Sequence, residues 1–112
     1  MEITTRTVGK CKVLDCHGPL TFGPSTTVLR QAIREAVKDG TSKVVLNLAD
    51  VSYLDSSGID EMISGYVHVK KLGGSMPLLN LNEKFHIILA TARLLTVFDV
   101  FDDEKKALEG CE

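Results

Sequence analysis

The sequence predicts a single α/β domain built on a mixed, mostly parallel β-sheet, with helices packed against it in the order ββαβαβαβα. Two observations carry this prediction. Segments with the apolar period of a helix alternate with short apolar runs. One of these runs, residues 43–48, is apolar almost throughout, as is typical of a strand covered on both faces. Helices between successive strands imply right-handed crossovers and parallel neighbours. The domain is assigned to residues 1–112.

The first half of the chain is predicted to contain a hairpin, a helix and this covered strand. Residues 2–8 and 10–17 are β-rich runs on either side of Gly9, which predicts an antiparallel hairpin. Residues 25–39 place apolar side chains on one helical face. Three hydroxyl side chains are candidates for the cap at the start of this helix: Ser25, Thr26 and Thr27.

The second half of the chain is predicted to repeat the alternation of helix and strand. Residues 57–72 form a helix, residues 76–81 a strand, and Asn82 caps a third helix. Residues 97–101 are the last strand, before a short helix that ends at Leu108. The core-facing stripe of the second helix is expected to contain Ile59, Met62, Ile63, Tyr66, Val67 and Lys70.

Composition and charge exclude several classes of function. The net charge is −2, from 13 basic and 15 acidic residues that are interspersed, so nucleic acid is not an expected partner. No apolar run approaches the roughly 20 residues of a membrane span, and the first ten residues lack the apolar core of a signal peptide. A cytoplasmic protein without a membrane span is expected.

The three cysteines are expected to be buried or idle thiols. An odd number at irregular spacing argues against a disulfide framework. Cys11 and Cys16 are five residues apart in a predicted strand, so they face opposite sides of the sheet and cannot share a metal. Cys111 lies far along the chain. No metal site and no cofactor are expected.

Two loops are expected to meet at the carboxyl edge of the sheet, where ligand sites form in open α/β sheets. These are residues 18–24 and residues 50–57, which follow parallel strands. The second loop ends in Asp55-Ser56-Ser57-Gly58 and runs into a helix, whose free N–H groups and positive dipole end favour an anion. A phosphate on a serine there would add roughly −2 of charge.

A capping role is the alternative for these serines. Ser57 followed by Asp60 fits a capping box, and spacing alone favours that interpretation. Catalysis has less support because the sequence contains neither a GxxxxGK[ST] phosphate loop nor a GxSxG elbow. A small hydrolase that uses Ser56 remains the weakest alternative. The three histidines are scattered: His17, His68 and His86.

Residues 44–59 (VVLNLADVSYLDSSGI) resemble the signature segment of STAS-domain anti-sigma factor antagonists. Similar features follow at Gly73-Gly74, residues 79–81 and residues 97–101, so the resemblance covers essentially the whole chain. It implies that Ser56 is a phosphoacceptor. The implied partner is a serine kinase that is also the anti-sigma factor and binds the ATP itself. A serine phosphatase would restore the unphosphorylated protein. The protein itself is expected not to be an enzyme.

One position departs from the family pattern. The family carries Gly-Glu-Leu-Asp after the second strand, where this chain has Gly18-Pro19-Leu20-Thr21. Thr21 therefore replaces a carboxylate. Control of partner binding by phosphorylation is then either altered, or lost while partner binding itself is retained. Two alternatives stay open: a STAS subunit of a lipid-transport ABC system, and a docking module without a switch. The residues expected to bind the partner are Thr21, Asp55, Ser56, Ser57, Gly58, Met62 and Gly65.

Overall fold

A computed structural model describes residues 1–111 and confirms the predicted order of elements. The strands are β1 (Glu2–Val8), β2 (Cys11–Leu20), β3 (Val44–Leu54), β4 (Leu78–Leu79) and β5 (Val100–Phe101). The helices are α1 (Pro24–Val37), α2 (Ser56–Lys71), α3 (Glu83–Thr91) and α4 (Glu104–Ala107). None of the helices in the described residues is long and apolar enough to cross a membrane.

The five strands lie side by side in chain order, with β1 antiparallel to β2 and all other neighbours parallel. The turn between β1 and β2 lies at Gly9, whose φ of 58° is a left-handed conformation that glycine adopts without a steric cost. Strands β2 and β3 are longer than predicted. Their pairing continues through two register shifts to Leu20 and Leu54, so polar residues that read as loop in the sequence are still part of the ladder.

The sheet carries a large apolar cluster on one face and a small one on the other. Alternate residues of a strand point to opposite faces. Leu14 and Leu46 therefore join the cluster that contains Leu29 of α1 and Met62 of α2. The other cluster consists of Val13, Val45, Leu79 and Ala107, the last from α4.

Helix α2 is rotated relative to the prediction. Its buried residues are Gly58, Glu61, Met62, Gly65 and Val69. Of the predicted stripe only Met62 is fully buried, whereas Val67 is exposed. The reason is that α2 packs against α1 as well as the sheet. A Cβ atom added at Gly65 would lie 2.5 Å from Cδ1 of Ile33, so the missing side chain admits Ile33.

The expectation of three free thiols is wrong for two of them. Cys11 and Cys111 form a disulfide between residues 100 apart in sequence, with a Cα–Cα distance of 5.4 Å. The pairing arises because the residues after α4 return to the start of β2. Cys16 is the free cysteine. Its burial raises the pKa of the thiol to about 12.

Candidate functional site

The two predicted loops meet at the carboxyl edge of the sheet. Leu20 and Leu54 are paired at the ends of β2 and β3. The backbone N–H of Asp55 lies 3.4 Å from the carbonyl oxygen of Leu20. The N-termini of α1, α2 and α3 follow the carboxyl ends of β2, β3 and β4, so three helices begin along this edge.

Asp55 connects the two loops through its carboxylate. One oxygen, Oδ2, accepts a hydrogen bond from the backbone N–H of Phe22 at 3.0 Å. The other, Oδ1, accepts from the N–H of Gly58 at 3.0 Å, which caps α2. The hydrogen bond from Phe22, and next the one from Gly58, lowers the pKa of Asp55 below its usual range. The residue at this edge is therefore a charged carboxylate.

The cap of α2 is Asp55 and not Ser57, so the capping-box interpretation is wrong. Both serines lie in the first turn of the helix, where backbone N–H groups have no partner within the helix. Ser56 is the first helical residue and is exposed, and Ser57 is partly buried. The Ser56 hydroxyl therefore faces solvent at the positive end of a helix.

Gly58 allows the close approach of α2 to the end of β2. A Cβ atom added at this glycine would lie 2.2 Å from the carbonyl oxygen of Leu20, a backbone atom that cannot turn aside. Gly58 itself is buried. Its contribution to the site is to set the position of Ser56 and Ser57 relative to the loop that follows β2.

Thr21 lies beside this site on a loop fixed by Ser25. The Ser25 hydroxyl donates to the carbonyl oxygen of Thr21 at 2.6 Å and accepts from its N–H at 3.0 Å. The predicted side-chain cap of α1 is therefore absent: Gly23 occupies the cap position, with no side-chain capping bond. Thr21 is partly buried and adjoins Phe22, which is bonded to Asp55.

Met62 and Gly65 are not on a surface open to a partner. The side chain of Met62 is fully buried, and Gly65 packs against Ile33 of α1. Both residues hold α2 against the rest of the domain. The expected docking flank of α2 is therefore an internal interface between two helices.

Three residues that the sequence analysis missed lie along this edge of the sheet, after β2, at the end of β3 and at the start of α3. Phe22 is 84% exposed and Tyr53 is 49% exposed. The ammonium group of Lys84, at the start of α3, lies 5.5 Å from the centre of the Tyr53 ring. An aromatic residue directly before Gly23-Pro24 in a predicted loop was the available signal for Phe22, because loops run over the protein surface.

Among residues 1–111, no hydrogen bond joins the Ser56 hydroxyl to another side chain. Within the same range, no three His, Cys, Asp or Glu side chains are grouped so that they could hold a metal ion. The site can present a hydroxyl group and a charged carboxylate on a fixed backbone.

Comparison with known proteins places the chain in a family. Residues 2–107 match the family model described as STAS domain. The anti-sigma-B factor antagonist of Bacillus subtilis is 36% identical over 76 residues, which are 68% of this chain and 61% of that protein. The matched part is thus less than two thirds of the relative's length.

Solved structures show the same fold. The crystal structure of an anti-sigma factor antagonist from Mycobacterium paratuberculosis has a TM-score of 0.85 at 19% identity, covering 98% of this chain and 92% of that one. A sulfate transporter family protein from Wolinella succinogenes has a TM-score of 0.79 at 18% identity, over 92% and 85% of the chains. Since the family model matches nearly the whole chain, this protein belongs to the STAS domain family.

Proposed function

We propose that the protein is an anti-sigma factor antagonist that binds a serine kinase acting as the anti-sigma factor, and that phosphorylation of Ser56 switches this binding. The observation that carries the proposal is the exposed Ser56 hydroxyl at the first residue of α2. Asp55 fixes the backbone on which this hydroxyl is presented. The name of the Bacillus subtilis relative supports the class of partner.

A phosphate on Ser56 changes charge at this edge without requiring a change of fold. It adds roughly −1.5 to −2 of charge at pH 7, and the positive end of α2 partly offsets this charge. Both oxygens of Asp55 already accept N–H groups, so Asp55 has no need to rearrange. The added charge lies next to the charged Asp55 and acts on whatever binds there.

The partner surface is proposed to comprise the exposed groups of the carboxyl edge. Exposed aromatic rings are enriched in protein interfaces. Tyr53 precedes Ser56 by three residues, and the backbone N–H of Phe22 is bonded to Asp55, the residue before Ser56. A partner that buries these rings excludes water from Ser56. A phosphate introduced there must lose its hydration when the partner binds, which weakens binding. The surface includes Thr21, Phe22, Tyr53, Asp55, Ser56 and Ser57.

The experiment that tests the proposal is phosphate mapping after incubation with ATP and the serine kinase captured with this protein from host lysate. Ser57→Ala is the matched control because it changes the neighbouring hydroxyl of the same helical turn. We expect one phosphate on the wild type and on Ser57→Ala, and none on Ser56→Ala. A serine phosphatase from the same host is expected to remove it. Phosphate only at Ser57, or none from a kinase that modifies another substrate, contradicts the proposal.

A STAS module of a transport system, or a docking module without a switch, is the alternative that the fold allows. The two functions differ in whether phosphate at Ser56 changes affinity for the partner. Capture of membrane transporter subunits by the wild type and by Ser56→Asp alike would favour the alternative.

A further inference from the structure

The residues after β5 lie across the sheet face opposite α1 and α2. We call residues 103–111 the cover segment. It contains the four-residue helix α4, which Asp103 caps, and it ends at Cys111. Ala107 of this segment packs on three fully buried side chains of the sheet: Val13, Val45 and Leu79.

Polar contacts attach the cover segment at both of its ends. The Lys43 ammonium donates to the carbonyl oxygens of Ala107 and Glu109, at 3.1 Å each. The N–H of Lys10 donates to the carbonyl oxygen of Cys111 at 2.6 Å. Glu104 forms an ion pair with Arg6 in which both side chains are about two-fifths exposed, so solvent screens it.

Few side chains of the cover segment are buried. Ala107 and Cys111 are buried and Leu108 is partly buried, whereas most of the other residues are exposed. Regions with few buried apolar contacts and solvent-exposed hydrogen bonds open at a lower free energy than the whole domain. The covalent link to Cys11 is thus the contact that most restricts opening of this segment.

We propose that Cys11 and Cys111 are a reversible thiol–disulfide site that controls whether the cover segment can leave the sheet. An external dithiol reduces the pair by donating two electrons and two protons. The Sγ–Sγ bond breaks, Cys11 and Cys111 each become a thiol, and the external dithiol becomes a disulfide. A protein or small-molecule disulfide reverses the reaction by accepting two electrons and two protons. In the reduced state the segment opens locally and uncovers Val13, Val45 and Leu79.

This site is separate from the proposed phosphorylation site. Cys11 begins β2 and Leu20 ends it, and a strand of that length spans about 30 Å at 3.3 Å per residue. The cover segment also lies on the opposite face of the sheet from α2. Reduction is therefore expected to leave Ser56 and its surroundings unchanged.

Hydrogen exchange measured by mass spectrometry tests the proposal on the full chain, oxidised and after reduction with dithiothreitol. We expect amide exchange in residues 103–111 to be at least tenfold faster in the reduced protein, while α2 stays protected in both states. Cys111→Ser is expected to reproduce the reduced state without reductant. Cys16→Ser is the matched control, since Cys16 is buried and unpaired, and it should respond to dithiothreitol as the wild type does.

Three outcomes overturn the proposal. Equal exchange of the cover segment in both states means that the link does not restrict it. Loss of protection in α2 as well means that reduction unfolds the domain and not the segment alone. The third outcome comes from counting free thiols after equilibration with mixtures of reduced and oxidised glutathione. If Cys11 and Cys111 stay fully disulfide-bonded, or fully reduced, in every mixture, they are not a reversible site. Passage from thiol to disulfide across the mixtures supports it.

Discussion

The carboxyl edge of the sheet and the sheet face beneath the cover segment are stabilised in different ways. At the edge, Asp55 joins neighbouring loops by accepting two hydrogen bonds from backbone N–H groups, and Ser56 beside it is exposed. On the covered face, a disulfide and two lysine contacts attach a short segment over buried valines and leucine. Changes at the edge should therefore alter binding, and changes on the covered face should alter stability.

The largest expected effect comes from removal of the disulfide. Chain-entropy arguments give about 4 to 5 kcal/mol for a link that closes a loop of roughly 100 residues. Cys111→Ser is expected to lower the free energy of unfolding by several kcal/mol, measured by urea denaturation, while partner binding stays unchanged. Cys16→Ser, which breaks no link, should cost far less. Equal losses in the two variants would remove the distinction between the covered face and the rest of the core.

A second comparison separates two glycines of α2. Gly58→Ala places a Cβ atom against the backbone oxygen of Leu20, and overpacking of this kind costs about 1–3 kcal/mol or more. Gly65→Ala places it against the tip of Ile33, a side chain that can shift, and gains about 1 kcal/mol of helix propensity. Thermal unfolding should therefore show a clear loss for Gly58→Ala and a small change for Gly65→Ala. The reverse order would contradict the proposed role of Gly58.

The smallest expected effect on stability concerns Asp55. Its pKa is lower in the folded protein than the ordinary aspartate value of 3.8, because the charged form accepts the N–H groups of Phe22 and Gly58. A depressed folded pKa contributes stability that is present above pH 3.8 and is lost as pH falls through the folded value. Asp55→Asn should therefore unfold at a slightly lower temperature than the wild type at pH 7.

The difference between Asp55→Asn and the wild type should shrink as pH falls from 3.8 toward the lower folded pKa of Asp55, because the unfolded chain takes up the proton first. Ser57→Ala is a suitable control, because it lies in the same turn and carries no charge. A difference in melting temperature that is the same at pH 7 and at pH 3 would show that charge on Asp55 does not stabilise this edge.

The two regions also differ in how far the sequence predicts them. Asp55, Ser56 and Gly58 are close in the chain, so their motif and the start of a helix identify the site together. Thr21 joins them because parallel strands end at one edge, which topology alone predicts. Binding at these residues stays a prediction.

Features that depend on distant contacts were not predictable in the same way. The apolar period of α2 does not reveal that α1 packs beside it, so Met62 and Gly65 were assigned to a docking flank and lie inside. The partner of Cys11 is 100 residues away and depends on the path of the chain after β5. Phe22 is bonded to Asp55, 33 residues further along the chain, so its place beside this site depends on the tertiary fold.

The central claim is that charge on Ser56 controls binding of the kinase. The most direct measurement is calorimetric titration of the captured kinase, in the presence of ADP, with unphosphorylated protein and with protein phosphorylated at Ser56. We predict that the phosphorylated form binds at least tenfold more weakly, which corresponds to about 1.4 kcal/mol. Equal affinity of the two forms would contradict the account.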